Sequence, residues 1–403
     1  MQNDAYIIGG TRSAIGNFKG GLSAIRTDDL LAQIIESLVQ KHPDIPQDAY
    51  NDVLIGCANQ AGEDNRNIAR MSLLLAGLPT DVPGETINRL CASGMSTIAK
   101  AFHAIKANEG DVFIAGGVEG MTRGPYVISK ADQGFSTDQK MYDSSFGWRF
   151  INPKMESMYG TEAMGKTAEN LASKYSIPRE LQDEFALRSQ QKAASAQQSG
   201  RLHEEITPIA IPQRKGDPII FEKDEFIKPQ TSLEKLAGLR TAFVKENGTV
   251  TAGNASGLND GAAAVVVASS KAIEKYNLSP LVKIISTGVS GTEPSIMGIG
   301  PVKATKIALE RANLKLEDIG LIELNEAFAA QSIACLWELG LKEDDERVNV
   351  NGGAIALGHP LGMSGTRIVY SLALEMKKRN IRYGLATMCI GVGQGFAIIL
   401  ENN

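Results

Sequence analysis

Short apolar runs alternate with amphipathic segments along most of the chain. Ala5-Tyr6-Ile7-Ile8 reads as a strand, and 28–39 carries apolar residues at i, i+3 and i+4, the spacing of a helix with one buried face. Val53-Leu54-Ile55, Thr86-Ile87-Asn88 and Val112-Phe113-Ile114-Ala115 follow as strands, with helices over 67–75 and 94–106 between them. The rhythm returns after residue 262, with strands at 264–267, 281–285, 321–323, 384–389 and 396–400 and helices at 302–312, 327–339 and 364–378. Strands that alternate with helices predict an α/β fold with a mainly parallel, helix-covered sheet. The middle, 121–250, breaks the rhythm. It is more polar and irregular, with one long helix from Pro178, a first-turn proline, to Ser199, stopped at Gly200. It reads as an insertion over one end of the two halves, placed to cover a ligand site.

The two rhythmic regions share residues at one constant interval. Cys91 is followed by Gly94, Met95 and Ser96, and His359 by Gly362, Met363 and Ser364. The same interval pairs Cys57 with Asn325, and Val53-Leu54-Ile55 with Leu321-Ile322-Glu323. Such a pattern predicts a duplicated unit, in which each copy ends a strand with a reactive side chain and starts a Gly/Ser-rich helix. Two copies put a thiol and an imidazole face to face across a pseudo-dyad.

Composition narrows what that pair can be doing. At 403 residues and 43% apolar, the chain can bury two or three cores. A net charge of −5 with interspersed signs and no Arg/Lys run argues against a nucleic-acid partner. No stretch has the length of a membrane span, and Met1 to Tyr6 lacks the basic and apolar regions of a secretory leader, so a cytoplasmic protein without a membrane partner is expected. Cysteines 57, 91, 335 and 389 show no CxxC spacing, so neither a disulfide frame nor a metal site is expected.

The reactive residues have bland readings beside functional ones. An isolated cysteine is usually a small buried hydrophobe. Cys91, however, precedes a helix start, whose free N–H groups favour thiolate and can hold an oxyanion. His359 lies in a Gly/Pro-rich turn, where an imidazole is fixed against a close-approaching backbone or ligand. Cys389 opens the run Cys389 to Gly395, which without a following helix reads as a hairpin rather than a phosphate loop. A second thiol near a thiol and a histidine can exchange protons with a carbon acid. Asn325, by default a helix N-cap at a strand-to-helix junction, sits where the repeat makes it face the same site.

The chain resembles a thiolase, an acetyl-CoA acyltransferase, over nearly its full length. The matching segments are NRLCASGM around Cys91, GGVEGM at 116–121, VTAGNASGLNDGAAA at 250–264, NEAFAAQ at 325–331, NVNGGAIALGHPLG at 349–362 and CIGVGQG at 389–395. The resemblance implies a thiolase-like fold, with duplicated βαβαβαββ halves in five layers and an inserted loop domain. The boundaries are then 1–120 for the first half, 121–250 for the CoA-binding loop domain, 251–271 for the return strand of the first half and 272–403 for the second half. It also implies that Cys91 accepts the acyl group, His359 activates it and Cys389 is the acid/base at the acetyl carbon. Asn325, through water, and His359 would form one oxyanion hole, and the N–H groups of Cys91 and Gly391 another. Coenzyme A enters as substrate, with no separate cofactor, and the protein should be a homodimer or homotetramer.

By the same resemblance Ser256 contacts pantetheine, and Phe243, Met164 and Phe328 line the channel. Lys228 stands where many thiolases have an arginine supporting the adenine, and a lysine cannot stack in the same way. Ala163 stands where acetoacetyl-CoA thiolases have histidine, which speaks against a short-chain biosynthetic enzyme. The chain is most similar to the thiolases of aromatic-acid catabolism that act on 3-oxoadipyl-CoA, through FGWRFINP at 146–153, Ala163-Met164, FALRSQQKA at 185–193 and MGIGP at 297–301. A medium-chain 3-ketoacyl-CoA thiolase of β-oxidation is the runner-up. A non-catalytic lipid-binding relative would be expected to lack Cys91 or His359, and a decarboxylating ketoacyl synthase to carry histidine at 389. The distal carboxylate of 3-oxoadipyl-CoA needs a cationic partner. Arg149 is the first candidate and Arg123 the second, although Arg149 reads equally well as a solvated surface charge or a structural ion-pair partner.

Overall fold

The computed structural model describes residues 3–402. Nine strands carry the architecture: β1 (Ala5–Arg12), β2 (Asp52–Gly56), β3 (Gly84–Ile87), β4 (Val112–Gly120), β5 (Asn259–Ser269), β6 (Val282–Gly291), β7 (Leu321–Leu324), β8 (Tyr383–Ile390) and β9 (Gln394–Glu401). They join in the order β7-β8-β9-β6-β1-β5-β4-β2-β3, with the short strand Gly16–Asn17 paired to β5. The halves meet where β1 and β6 pair antiparallel through Tyr6 with Lys283 and Ile7 with Val282. Reading outward from that seam, β1, β5, β4 and β2 mirror β6, β9, β8 and β7. The single bridge from Ile322 to Val348 stands in for β3.

The sheet is mixed, which corrects the mainly parallel expectation. Only the pairs β2–β3, β2–β4 and β7–β8 are parallel. The central pairs are antiparallel because β8 turns straight into β9 through Gly391 to Gly393, too short for a parallel crossover, and β5 mirrors β9.

Alternate residues of each strand enter different cores. In β2, Val53 and Ile55 pack into an outer core with Leu31, Ile34 and Ile35 of helix α1 (Thr27–Lys41) and Ile68 and Leu73 of α2 (Ile68–Leu75). Leu54 points the other way, into a central core with Met95 and Ile98 of α3 (Ser93–Lys106) and Ile368 and Leu372 of a late helix, Leu361–Arg379. In β9, Ile398 and Leu400 join this central core. Ala397 and Ile399 join a third one, with Val302 and Ala308 of Gly300–Ala312 and Ile333 of Ala329–Glu338. Helices, sheet half, helices, sheet half, helices: these are five layers. Both faces being covered explains why β4 and β5 are buried along their whole length.

The segment 121–250 has more order than its composition suggests. It contains α4 (Met164–Lys174), α5 (Arg179–Gln198), short helices at Pro153–Tyr159 and Leu233–Ala237, and two small antiparallel ladders. Pro178 is the N-cap of α5 and Gly200, at φ +82°, terminates it. Buried Arg12 of β1 ties the segment to the sheet through a bidentate pair with Asp224 and a bond to Glu205. The later helices are α6 (Gly300–Ala312), α7 (Ala329–Glu338) and α8 (Leu361–Arg379).

Candidate active site

Cys91 sits in a single 3-10 turn, Leu90–Ala92, directly before α3. Leu90 is held in the left-handed region, φ +48°, which a bulky residue adopts only when its surroundings impose it. Asn88 Oδ1 accepts from Leu90 N, and Ser93 Oγ accepts from Arg89 N and donates to the Leu90 carbonyl, bracing the bend. The start of α3 lies against the start of α8. A Cβ on Gly94 would come 2.5 Å from the Gly362 carbonyl, so glycine there lets α3 and α8 touch, and a Cβ on Gly362 would come 2.3 Å from the Val118 carbonyl, so glycine there lets α8 sit against β4.

His359 lies just before α8, and its orientation is determined. Asn259 Oδ1 accepts from its backbone N at 3.0 Å. Ser364 Oγ, 2.6 Å from Nδ1, already donates its proton to the Pro360 carbonyl at 2.8 Å, so it accepts from Nδ1–H. The lone pair is thereby left on Nε2, which faces Asn325 Nδ2 at 3.4 Å. Burial first, and then the positive charge of Arg367, pushes His359 down to about 3, so the imidazole is neutral.

Asn325 is not an N-cap. Helix α7 begins at Ala329 with Phe328 as its cap, while Asn325 is buried and donates its backbone N–H to the Thr387 carbonyl of β8. The neighbouring Glu326 accepts from Ser189, Asn349 and the Ile355 backbone, fastening this segment to α5. Cys389 is the penultimate residue of β8 and pairs with Gly395 of β9. The intervening turn has positive φ at Val392 and Gly393, so the Gly-rich run is a hairpin.

The electrostatics of the thiols differ from the expected thiolate. Desolvation pushes Cys91 up to about 11, although the N–H groups of Gly391 and of Cys91 itself point at its sulfur. Cys389 is raised well above the ordinary thiol value by burial and by its neighbours Cys91 and Cys335. With His359 neutral, no cation stands by to stabilise a thiolate. Burial outweighs the helix start, and both thiols are protonated at pH 7.

Met164 packs on the apolar cluster of Cys389, Ala327 and Phe328, and its sulfur would lie 3.5 Å from a Cβ on Gly391. Phe243 stands edge-on to Phe328 at 6.3 Å, and Ser256 donates its backbone N–H to the Ala327 carbonyl. Lys228 lies farther out. Its Nζ is 4.8 Å from the Phe226 ring, beside a cavity of about 310 Å³ bordered by Gln190, Thr231, Lys235 and Gly253.

The two arginines fare differently. Arg123 is bound by both carboxylate oxygens of Glu63 and donates to the Ser23 carbonyl, so its charge is spent. Arg149 donates to the Ser144 carbonyl and to Asn59, and has no acidic partner among the described residues. Sequence reasoning missed Ser364, Asn259 and Glu326 as supports, although Asn259 and Glu326 lie inside the matching segments and Ser364 two residues beyond one. The buried group Cys57, Asp64 and Glu119 comes together in the first half. Backbone N–H groups already point at both carboxylates, which suits anions rather than a bound cation.

The two thiols, the neutral imidazole with its lone pair inward and the inward-pointing N–H groups lie in segments that match a known family of acyltransferases, and the chain belongs to the thiolase family. Residues 5–271 match the thiolase N-terminal domain and 278–402 the thiolase C-terminal domain. It is 53% identical to the 3-oxoadipyl-CoA/3-oxo-5,6-dehydrosuberyl-CoA thiolase of Escherichia coli (strain K12), over 99% of both chains. It is also 53% identical to the beta-ketoadipyl-CoA thiolase of Pseudomonas aeruginosa, over 100% of both. The crystal structure of the Bacillus anthracis acetyl-CoA acetyltransferase superposes with a TM-score of 0.92 at 39% identity, covering 99% of each chain. No helix among the described residues is long and apolar enough to cross a membrane.

Proposed function

We propose that the protein is a degradative thiolase that cleaves 3-oxoadipyl-CoA with CoA to succinyl-CoA and acetyl-CoA. The observation that carries the reading is the inward Nε2 of His359 beside Asn325, in a site that also holds two protonated thiols. Cys91 attacks the C3 carbonyl as its proton passes to Nε2. The C2–C3 bond breaks, and the acetyl-CoA enolate takes a proton from Cys389, whose raised pKa keeps it an acid until then. Incoming CoA gives its thiol proton to Cys389 and its sulfur to the acyl group on Cys91, and His359 returns the first proton. Oxyanions form at Nε2–H with Asn325, acting through water, and at the N–H groups of Cys91 and Gly391. These residues supply the nucleophile and the acid/base, so the reading includes no cofactor besides the CoA substrate.

CoA is assigned to the loop domain, with pantetheine along Ser256, Phe243, Met164 and Phe328 and its phosphates near Lys228 and Lys235. Arg149, unpaired with any acid, is preferred over Arg123 for the distal carboxylate. Four free cysteines, two of them catalytic in this reading, suit a reducing, cytoplasmic setting. A homodimer or homotetramer is part of the same proposal.

CoA-dependent loss of 3-oxoadipyl-CoA absorbance tests the reaction, with 3-oxohexanoyl-CoA as the uncharged control. Preference for the uncharged substrate would move the protein to medium-chain β-oxidation and leave the thiolase chemistry standing. Arg149→Met should lower kcat/KM for 3-oxoadipyl-CoA by roughly one to three orders of magnitude while sparing the control. Equal losses on both would make Arg149 structural. Cys91→Ala should take no acyl group from acetyl-CoA by intact-protein mass spectrometry, whereas Cys389→Ala should be acylated yet fail to cleave carbon–carbon bonds.

A further inference from the structure

The pseudo-dyad gives Glu119 an unassigned place. Gly56 on β2 stands opposite Gly117 of β4, and Leu324 on β7 stands opposite Thr387 of β8. Two residues farther along come Glu119 in one half and Cys389 in the other. The active site thus has mates in pairs: Cys91 with His359, Cys57 with Asn325, and Glu119 with Cys389. The proposed mechanism uses neither Glu119 nor Cys57.

Glu119 is fully buried, and both halves of the duplication point donors at it. Oε1 accepts from Asn59 N at 3.0 Å, and Oε2 accepts from Ala58 N at 3.0 Å and from Gly362 N, in the first turn of α8, at 2.8 Å. The turn it holds is itself tied to the nucleophile's segment. Cys57 N donates to the Ile87 carbonyl, and Asn88 Nδ2 donates to the Ala58 carbonyl. A carboxylate placed against the first turn of a helix of this length is also favoured by the helix dipole.

We propose that Glu119 is a positioning residue of the thiolase reaction, its ionised carboxylate fastening the first turn of the His359 helix to the turn that carries the Cys91 segment. The inference rests on the thiolase reading above. Protonation would weaken the fastening. Three N–H groups take three of the carboxylate's four lone-pair sites; a proton on Oε1, 4.0 Å from the Cys57 sulfur, fills the fourth and removes the charge that strengthens all three bonds, leaving a hydroxyl that accepts poorly from Asn59 N. Burial pushes Glu119 up to about 7, against its three N–H partners and with the negative charge of Asp64. The other titratable groups brought against it are Cys57 and Asp64 on the following turn, Cys91 at the start of α3 and Asp260 on the adjoining β5. No ion pair of the described residues includes it.

The sign follows. The ionised form is the competent one, so kcat should fall as pH drops below about 7. That limb lies where an ordinary histidine titrates, yet His359 is held at about 3 and cannot produce it. Glu119→Gln keeps the shape but turns an NH2 group toward backbone donors. We expect kcat to fall about 10- to 100-fold with little change in KM, and the acid limb to vanish. Glu119→Asp should restore the limb in part.

Unchanged kcat, or a limb that survives in Glu119→Gln, would overturn the assignment, as would equal losses in kcat and KM with a lowered Tm and an intact limb. Should Glu119→Gln not fold, Asp64→Asn serves instead. Removing that neighbouring charge should move the limb to lower pH, and an unmoved limb overturns the proposal. A wild-type protein that cleaves no 3-oxoacyl-CoA would refute the thiolase reading itself, a result separate from any of these.

Discussion

Ser364 decides which nitrogen of His359 carries the proton, because its own proton is committed to the Pro360 carbonyl. Ser364→Ala frees the ring to adopt the other tautomer, with Nε2 protonated and useless as a base. We expect kcat to fall about 10- to 100-fold at unchanged KM, part of what a positioned general base supplies, as read by steady-state kinetics. The raised pKa of Cys91 makes a second expectation at this scale. Iodoacetamide should label Cys91 in preference to Cys57 and Cys335, which are fully buried. Its rate should climb steadily from pH 7 toward pH 10 rather than level off near neutrality, since the thiol sits at about 11. A plateau near pH 7 in a peptide-mapped rate profile would mean the helix start outweighs burial after all. The residues proposed to react were named from the matched segments. Their protonation states were not, because desolvation depends on what the rest of the chain packs around them.

Where the starts of α3 and α8 meet β4, the closest approach is made by glycines. A Cβ on Gly117 would lie 1.9 Å from the Gly362 carbonyl, with Gly94 next to it. Gly117→Ala must push β4 away from the first turn of α8. It should cost about 1–3 kcal/mol as overpacking, read as a lowered Tm, and should lower kcat more than a substitution of equal cost in the outer core. Helices were the most legible elements: the spacing over 28–39 and 94–106 reappears as Thr27–Lys41 and Ser93–Lys106. The strands were found but their directions were not, since a strand's apolar pattern is the same whether its neighbour runs parallel or antiparallel. The ladders within 126–143 and 209–221 went unseen because three-residue strands have too few positions to show a period.

At the scale of the whole molecule, β3 is an edge strand with only half-buried residues, and Leu74 and Leu75 are exposed. The hairpin of Tyr126–Ile128 and Met141–Asp143 exposes Tyr126, Ile128, Met141 and, at its tip, Phe135. Apolar area of this kind is what self-association covers. Light scattering should give a mass of two or four chains, and the double change Tyr126→Ser and Phe135→Ser should lower a tetramer to a dimer. A wild-type monomer would contradict the proposed assembly. The sequence by itself determined the duplication and the pairing of Cys91 with His359 and of Cys57 with Asn325, since these depend on residue identity at fixed intervals, while the five-layer class came from the resemblance of its motifs to the thiolase family. Tertiary structure alone decided which charges survive. Glu63 takes up Arg123 while Arg149 stays free of acid, burial holds both thiols protonated, and Glu119 meets donors from both halves. Each of these depends on groups far apart in the chain, brought together only when two halves and an inserted domain pack.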